Sequence, residues 1–178
     1  MGFRLLNRGR IFPPERPAFW RPEGQRGFGD YPEAPAFVAD RKLGPVHRDF
    51  QVYYGFWFVS ERMKSFLQAL DPEAFTFLRC DIQSPDGQEL PSRWLCDVVR
   101  ILDALIEQKS AVEIGVADDG SKIYRQIGLP KFFFKESVVG NCHAFRMKYA
   151  VSEIICDEEF KLAFTAAGMT GISFGATR

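Results

Sequence analysis

The sequence lacks the features that would assign it to a membrane or secreted class. Its richest apolar stretches, Phe56–Val59 and Phe132–Phe134, are far shorter than the roughly 18 residues that a membrane helix needs. Its first ten residues contain no continuous apolar segment of the kind found in secretory signals. We therefore expect a soluble, cytoplasmic protein without a membrane partner.

Cysteine and histidine are also scarce. The chain has four cysteines and two histidines: Cys80, Cys96, Cys142, Cys156, His47 and His143. No two cysteines form a C-x-x-C pair, and the spacings match neither a disulfide framework nor a zinc site. We expect reduced thiols in the core, no metal and no cofactor.

Net charge is absent, because 23 basic residues balance 23 acidic ones. This balance argues against a general binder of nucleic acid, whose surface is usually strongly basic. Six arginines precede residue 27 among aromatic residues, but four acidic residues between 15 and 33 dilute their field, so we do not expect nucleic-acid binding. The balance is uneven along the chain: residues 1–50 carry a net +3 and residues 51–178 a net −3.

The first 49 residues differ in composition from the rest. They hold seven of the 11 prolines together with several glycines, a composition that disfavours a long helix or a central strand. Their aromatic residues, Trp20 and Tyr31 among them, are too apolar for a solvated linker. We predict an extended arm over residues 1–49 that packs on the core or on a partner.

Residues 50–178 have the pattern of a packed domain. The stretch Gln51–Val59 predicts a buried strand, and Ser60 then precedes an apolar 3.6-residue periodicity that predicts a helix ending at Asp71. Phe75–Ile82 is a strand candidate, and residues 111–127 predict a hairpin turning at Asp118–Gly120. The fold class expected is α+β, one compact domain of short strands with two or three helices.

The middle of this domain has an ambiguous pattern, and its C-terminal part predicts a helix and a strand. The apolar spacing over Trp94–Glu107 favours a helix, although Trp94–Val99 alone is also consistent with a strand. Farther on, Asp157 precedes an acidic first turn and an apolar face, which predicts a second capped helix ending at Gly168. The tail Met169–Phe174 is expected to return as a closing strand.

Candidates for catalysis are few. Cys142 and His143 supply a thiol and an imidazole, but adjacent residues on a strand point to opposite sides. Acidic residues at Asp118–Asp119 and Asp157–Glu159 are explained by a turn and by a helix first turn. The glycines of Gly24–Gly29 lack the order of a dinucleotide-binding loop.

The order of several segments resembles a known family. These segments are Phe58–Leu67, Trp94–Val99, Leu102–Leu105, Ser110, His143–Arg146, Ile155–Lys161 and Ala167–Phe174. Together they resemble the eleventh family of immunity proteins of bacterial polymorphic toxin systems, formerly a domain of unknown function, over about residues 50–175. Asp157 stands where that family usually has serine, a conservative change at a helix cap.

The resemblance implies an α+β domain that binds and neutralises a cognate toxin, encoded nearby, and that catalyses no reaction. It also implies that Trp94–Val99 is a strand, which we adopt. Because the family is defined by pattern, it transfers no site residues. We name Trp20, Tyr31 and Trp57 as candidate partner-binding residues for their aromatic character.

Two alternatives remain open from the residues alone. One is a homo-oligomeric structural or interaction module in which the N-terminal arm is exchanged between protomers. The other is a cysteine-dependent enzyme that uses Cys142 and His143.

Overall fold

The computed structural model describes residues 2–11, 26–44 and 48–177. The strands are β1 (Phe3–Leu5), β2 (Ala36–Ala39), β3 (Phe50–Tyr53), β4 (Phe56–Ser60), β5 (Phe75–Gln83), β6 (Glu89–Val98), β7 (Ile101–Leu102), β8 (Val112–Val116), β9 (Lys122–Gln126), β10 (Ala144–Met147) and β11 (Ala150–Cys156). The helices are α1 (Arg8–Ile11), α2 (Glu61–Leu70), α3 (Glu136–Val139) and α4 (Glu158–Ala166). This mixture confirms the α+β fold class.

A six-stranded sheet in the order β1-β2-β5-β6-β4-β3 is the centre of the fold. Its pairs are antiparallel except β2 with β5. One face packs against Ile11 of α1 and against Phe28, and the other against α2 and α4. A three-stranded sheet, β11-β10-β7, and the separate hairpin β8–β9 complete the strands.

The segment before residue 50 supplies two strands to the main sheet. β2 lies between β1 and β5 and is not an edge strand, so the expectation that this segment would hold no central strand was wrong. The reason is local, because Ala36–Ala39 follows Pro35 but contains no proline itself, and its amides remain available for pairing.

The stretch from Gln51 to Val59 forms two strands where one was predicted. β3 and β4 pair antiparallel around Tyr54 and Gly55, whose φ angles are 49° and 79°. Positive φ at both central residues is the geometry of a type I′ turn, and Gly55 adopts it without steric cost.

Both capped helices predicted from the sequence are confirmed. The Ser60 hydroxyl accepts a hydrogen bond from the Met63 amide at 3.1 Å, and the Asp157 carboxylate accepts one from the Phe160 amide at 2.8 Å. Asp71 ends α2 as expected. Within the described ranges, no helix is both long and apolar enough to cross a membrane.

The helix favoured by periodicity over Trp94–Glu107 was wrong, and the strand implied by the family resemblance is confirmed. β6 includes Trp94 and ends at Val98 as an inner strand between β5 and β4, and Ile101–Leu102 of the same region forms β7. Leu95 is buried in the cluster on one face of the sheet and Cys96 in the cluster on the other. A strand covered on both faces carries apolar residues at successive positions, and this run matched a helical spacing by coincidence.

The closing strand expected over Met169–Phe174 was also wrong. Instead this segment packs Met169, Ile172 and Phe174 against the cluster formed with α2 and α4. Gly171 lies so close to β3 that a Cβ atom there would sit 2.6 Å from the Phe50 carbonyl oxygen, and its φ is 104°. Any other residue at 171 would therefore displace the segment.

Three nearly fully buried aspartates join distant parts of the chain through arginines. The first, Asp97 on β6, accepts hydrogen bonds from Arg26, from the Gly27 amide at 2.9 Å and from Arg146 of β10 at 3.1 Å. Arg146, also buried, donates a further bond to the Val98 carbonyl at 2.9 Å. Asp97 thus ties the N-terminal segment and the smaller sheet to the main sheet.

The second, Asp49, closes the junction between α2 and the C-terminal segment. Its carboxylate accepts bonds from Arg62 at 2.9 Å, from the Ser60 hydroxyl at 3.1 Å and from the Thr170 hydroxyl at 2.9 Å. Arg62 also donates to the Gly168 carbonyl at 2.8 Å, which satisfies a free carbonyl after α4.

The third, Asp71, fixes the end of α2 against β10. It forms an ion pair with Arg100 and accepts bonds from the backbone amides of His143 at 3.0 Å and Ala144 at 3.4 Å. These aspartates and arginines lie 13 to 71 residues apart, so they organise tertiary structure and not a local element.

Replacing Asp97 with asparagine (Asp97→Asn) is expected to lower the free energy of unfolding by about 3–5 kcal/mol, because the buried guanidinium of Arg146 loses its counter-charge. The measurement is urea denaturation of purified protein. As a control, Glu158→Gln removes an exposed ion pair with Lys161 and should cost about 0–1 kcal/mol. Equal losses in the two variants would contradict the assignment.

Asp49 and Asp71 also predict an acid dependence of stability. Burial raises the pKa of each carboxyl, but the hydrogen bonds from Arg62 to Asp49 and from Arg100 to Asp71, with their other donors, outweigh it and hold each pKa below its ordinary value. The stabilisation is then complete above the ordinary value of about 4 and is lost as pH falls through the depressed pKa. Asp49→Asn and Asp71→Asn should be less stable near neutral pH and should show a shallower acid decline in urea titrations. An unchanged pH profile in both variants would contradict this.

Candidate functional site

Exposed apolar side chains concentrate on the β8–β9 hairpin and the loop after it. Ile114 is 52% exposed and Val116 68%, and in the following loop Ile127 is 56% and Leu129 87% exposed. Ile114 and Val116 alternate along β8 and therefore point to the same face. Grouped apolar side chains of this kind are typical of protein interaction sites.

The hairpin forms for reasons that are visible in its sequence. Its strands pair without a register shift, with Glu113 opposite Arg125, and Gly120 turns the chain with a φ of 82°. Asp119 accepts a hydrogen bond from the Ser121 amide at 2.9 Å, which stabilises that turn. The Arg125 guanidinium lies over Gly115, where a Cβ atom would be 3.3 Å from it.

The hairpin is anchored to the rest of the chain through β9. Tyr124 is buried, and its ring packs edge-on against Tyr149 at 5.3 Å while its amide donates to the Tyr149 carbonyl at 2.7 Å. Its hydroxyl donates to Glu107 at 2.6 Å, and Glu107 also pairs with Lys122. Burial, followed by the contact with Glu107, raises the pKa of Tyr124 to about 12, so the phenol remains a donor. β9 therefore faces the protein body, whereas the side chains of β8 at Ile114 and Val116 are exposed.

A cavity of about 600 Å³ lies elsewhere, between α3, β11, α4 and the C-terminal segment. Its walls are largely apolar and include Phe134, Phe145 and Ile155, while acidic residues and Lys161 lie at its edge. Two thiols, Cys142 and Cys156, also line it. A neighbouring cavity of about 290 Å³ shares Ile155 and Cys156 with it and is lined by Trp57.

The structure places the sequence candidates Cys142 and His143 at the edge of this region. The His143 Nδ1 atom lies 2.8 Å from the Asp157 carboxylate, while among the described residues no hydrogen bond joins it to the Cys142 thiol. Burial, with Asp157 and Glu158 nearby, raises the pKa of Cys156 to about 11, which keeps that thiol protonated. His143 is therefore paired with a carboxylate, and among the described residues the Cys142 thiol lies outside that pair.

His143, Asp157 and Glu159 form a cluster that sequence reasoning missed. One ligand atom from each lies within 4.8 Å of the other two, a spacing at which they could hold a metal ion. Both Asp157 oxygens are already used, one by the α4 cap and one by His143, so helix capping accounts for the arrangement. No sequence signal joins residues 143 and 157, because they meet only through the pairing of β10 with β11.

Two of the three candidate partner-binding residues lie in the described part of the chain. Trp57 is partly buried, packs against Phe50 at 5.3 Å and Phe75 at 5.9 Å, and lines the smaller cavity. Tyr31 is partly buried against the cluster on the opposite face of the main sheet. Trp20 lies outside the described residues. The structure does not bring Tyr31 and Trp57 together, because they lie on opposite faces.

A model described as the immunity protein family Imm11 matches residues 2–178. The chain belongs to the Imm11 immunity protein family. The match includes the first 49 residues of this Imm11 chain, whereas the resemblance seen in the sequence covered about residues 50–175. No curated protein sequence matches the chain significantly.

The exposed face of the Imm11 hairpin could not be identified from the sequence. The strand was predicted correctly, but a strand in which Val112, Ile114 and Val116 alternate with other residues normally buries its apolar face. Here only Tyr124 on the partner strand is buried, because Tyr149 and Glu107 cover it.

The thiols of the Imm11 chain should differ in reactivity. Burial raises the pKa of Cys80 and of Cys96, and we expect neither to react with iodoacetamide in the folded protein near neutral pH, with Cys156 reacting slowly. Labelling is measured by peptide mass spectrometry, and the same protein in urea, in which all four thiols should react, is the control. Rapid labelling of Cys156 in the folded chain would contradict its assigned environment.

Proposed function

We propose that this Imm11 chain binds a cognate bacterial toxin protein and neutralises it without catalysing a reaction. The single observation that carries the proposal is the family match over residues 2–178. Such a protein would act in the cytoplasm of the cell it protects. Neither the arm-exchanged oligomer nor the cysteine-dependent enzyme gains support from the family or from the placement of Cys142 and His143.

The β8–β9 hairpin is our choice for the main toxin-binding surface. Ile114 and Val116, with Ile127 and Leu129 in the following loop, offer exposed apolar area, and the anchored β9 strand keeps that area in one place. A stable complex of standard size buries about 1,600 Å² in total, so further contacts beyond the hairpin are required. A rigid apolar centre is the type of surface in which a few residues supply most of the binding energy.

Trp20, Tyr31 and Trp57 are a second set of proposed toxin contacts. Tyr31 and Trp57 are only partly buried, which leaves part of each ring accessible. Since these two lie on opposite faces of the main sheet, one flat toxin surface would not contact both.

The direct experiment is co-expression of the chain with the products of neighbouring genes. We expect one of them to be toxic alone and harmless with the chain, and to co-purify with it. If no neighbour is toxic, or if the chain neither protects nor co-purifies, the proposed function is wrong.

The hairpin surface is tested with a matched pair of variants. Val116→Asp introduces a charge into the proposed interface and is expected to weaken toxin binding by at least about tenfold in calorimetry, with loss of protection. Leu162→Asp is the control, because Leu162 is 62% exposed, close to the 68% of Val116, but lies on α4. Equal affinity of the two variants would remove the hairpin from the interface.

A further inference from the structure

The outer edge of β8 has backbone groups that no strand among the described residues uses. The hairpin ladder includes the Ile127 amide bonded to the Ala111 carbonyl and the Ala117 amide bonded to the Ser121 carbonyl. Bonded pairs alternate in an antiparallel ladder, so Glu113 and Gly115 also bond to β9, whereas Ile114 and Val116 direct their N–H and C=O groups away from it. Tyr124 lies opposite Ile114, and its amide points away from β8 and bonds to Tyr149. The pair Ile114–Tyr124 is therefore one of the pairs that are not hydrogen-bonded to each other.

In the part of the chain that the structure describes, nothing covers this edge. No described residue forms a hydrogen bond with the backbone of Ile114 or Val116, and β8 pairs with β9 alone. Val112–Val116 contains no proline, no lysine and no bulge, and Glu113 is its one charged residue, so most of the devices that usually protect an edge are missing from β8. Its two most exposed side chains are apolar, and a strand of this type is a template for pairing with another strand.

Charge indicates what type of strand this edge would accept. Residues 111–121 contain three acidic residues, Glu113, Asp118 and Asp119, and no basic residue. All three acidic side chains are exposed. A second copy of the chain pairing β8 with β8 would bring these carboxylates together, which is unfavourable, whereas a strand with lysine or arginine would meet opposite charge.

We propose that β8 pairs through its free backbone edge with an extended segment of the toxin in which apolar side chains alternate with lysine or arginine. The N–H and C=O groups of Ile114 and Val116 form the hydrogen bonds of the new ladder. The apolar side chains of the segment pack on Ile114 and Val116, and its basic side chains face Glu113, Asp118 and Asp119. This inference rests on the proposed toxin-binding function and names the mode of contact and the chemistry of the partner segment.

Amide hydrogen exchange tests the inference at single residues. In the free chain, the Ile114 and Val116 amides should exchange rapidly, while those of Glu113 and Gly115 are protected by β9. In complex with the toxin that the co-expression experiment identifies, used in inactivated form, the Ile114 and Val116 amides should slow by at least about tenfold, as bonded amides do. NMR or fragment-resolved mass spectrometry measures both states. Protection of Ile114 and Val116 in the free chain together with dimerisation in light scattering would overturn the proposal in favour of a second copy.

Two variants at one position separate backbone pairing from side-chain contact. Ile114→Pro removes an amide hydrogen that points outward, and an edge strand tolerates proline at such a position. The variant should weaken toxin binding by at least about tenfold. Ile114→Thr keeps the amide and should weaken binding clearly less. Retained protection of the Glu113 and Gly115 amides, which bond to β9, shows that the hairpin is intact, and if the proline variant fails this check, the exchange experiment on the unaltered chain decides.

The outcomes distinguish this inference from the proposed function. A toxin that binds and is neutralised while the Ile114 and Val116 amides still exchange rapidly would overturn strand pairing and leave the proposed function standing. Asp118→Lys should slow association, and faster association would overturn the basic character assigned to the segment. If no toxin binds, both proposals fall together.

Discussion

The buried carboxylate of Asp97 is the contact on which the rest of the structure most depends. It neutralises Arg146 inside the protein, binds Arg26 and the Gly27 amide, and so connects the N-terminal segment, β6 and β10. Charges removed from water cost much free energy unless they are paired with opposite charge, so each of these segments requires the others in position. Asp49 and Asp71 apply the same constraint at the two ends of α2. The family match over both the N-terminal segment and the domain agrees with a fold in which the two are joined in this way.

Local elements of this fold could be predicted from the sequence, and long-range ones could not. Ser60 and Asp157 predicted their helices because a cap and an amphipathic face lie within a few residues of each other. Periodicity predicted a helix where β6 lies, because a strand that is buried on both faces carries successive apolar residues. That β6 is an inner strand depends on its pairing with β4 and β5. The pairing of Asp97 with Arg146 spans 49 residues, and no single-sequence pattern reports it.

In the candidate site too, the local element could be predicted from the sequence and its exposure could not. The β8–β9 hairpin was predicted from two strand candidates on either side of the turn at Asp118–Gly120. Its exposed face was not, because exposure depends on where Tyr149 and Glu107 hold β9. The resulting asymmetry, one strand anchored and the other open, would make the proposed binding element rigid before its partner arrives. A preorganised surface of this kind loses little conformational entropy on association, which favours tight binding from a small contact.

The network around Asp49 also has a consequence for the order in which the chain folds during its synthesis. Ser60 and Arg62 follow Asp49 closely and emerge from the ribosome soon after it, but Thr170 lies 121 residues farther along. Until Thr170 is made, the carboxylate lacks its last partners, and β3 lacks the segment that packs beside it at Gly171. The contacts of this segment with Asp49 and with Phe50 of β3 therefore form only after Thr170 and Gly171 have been translated.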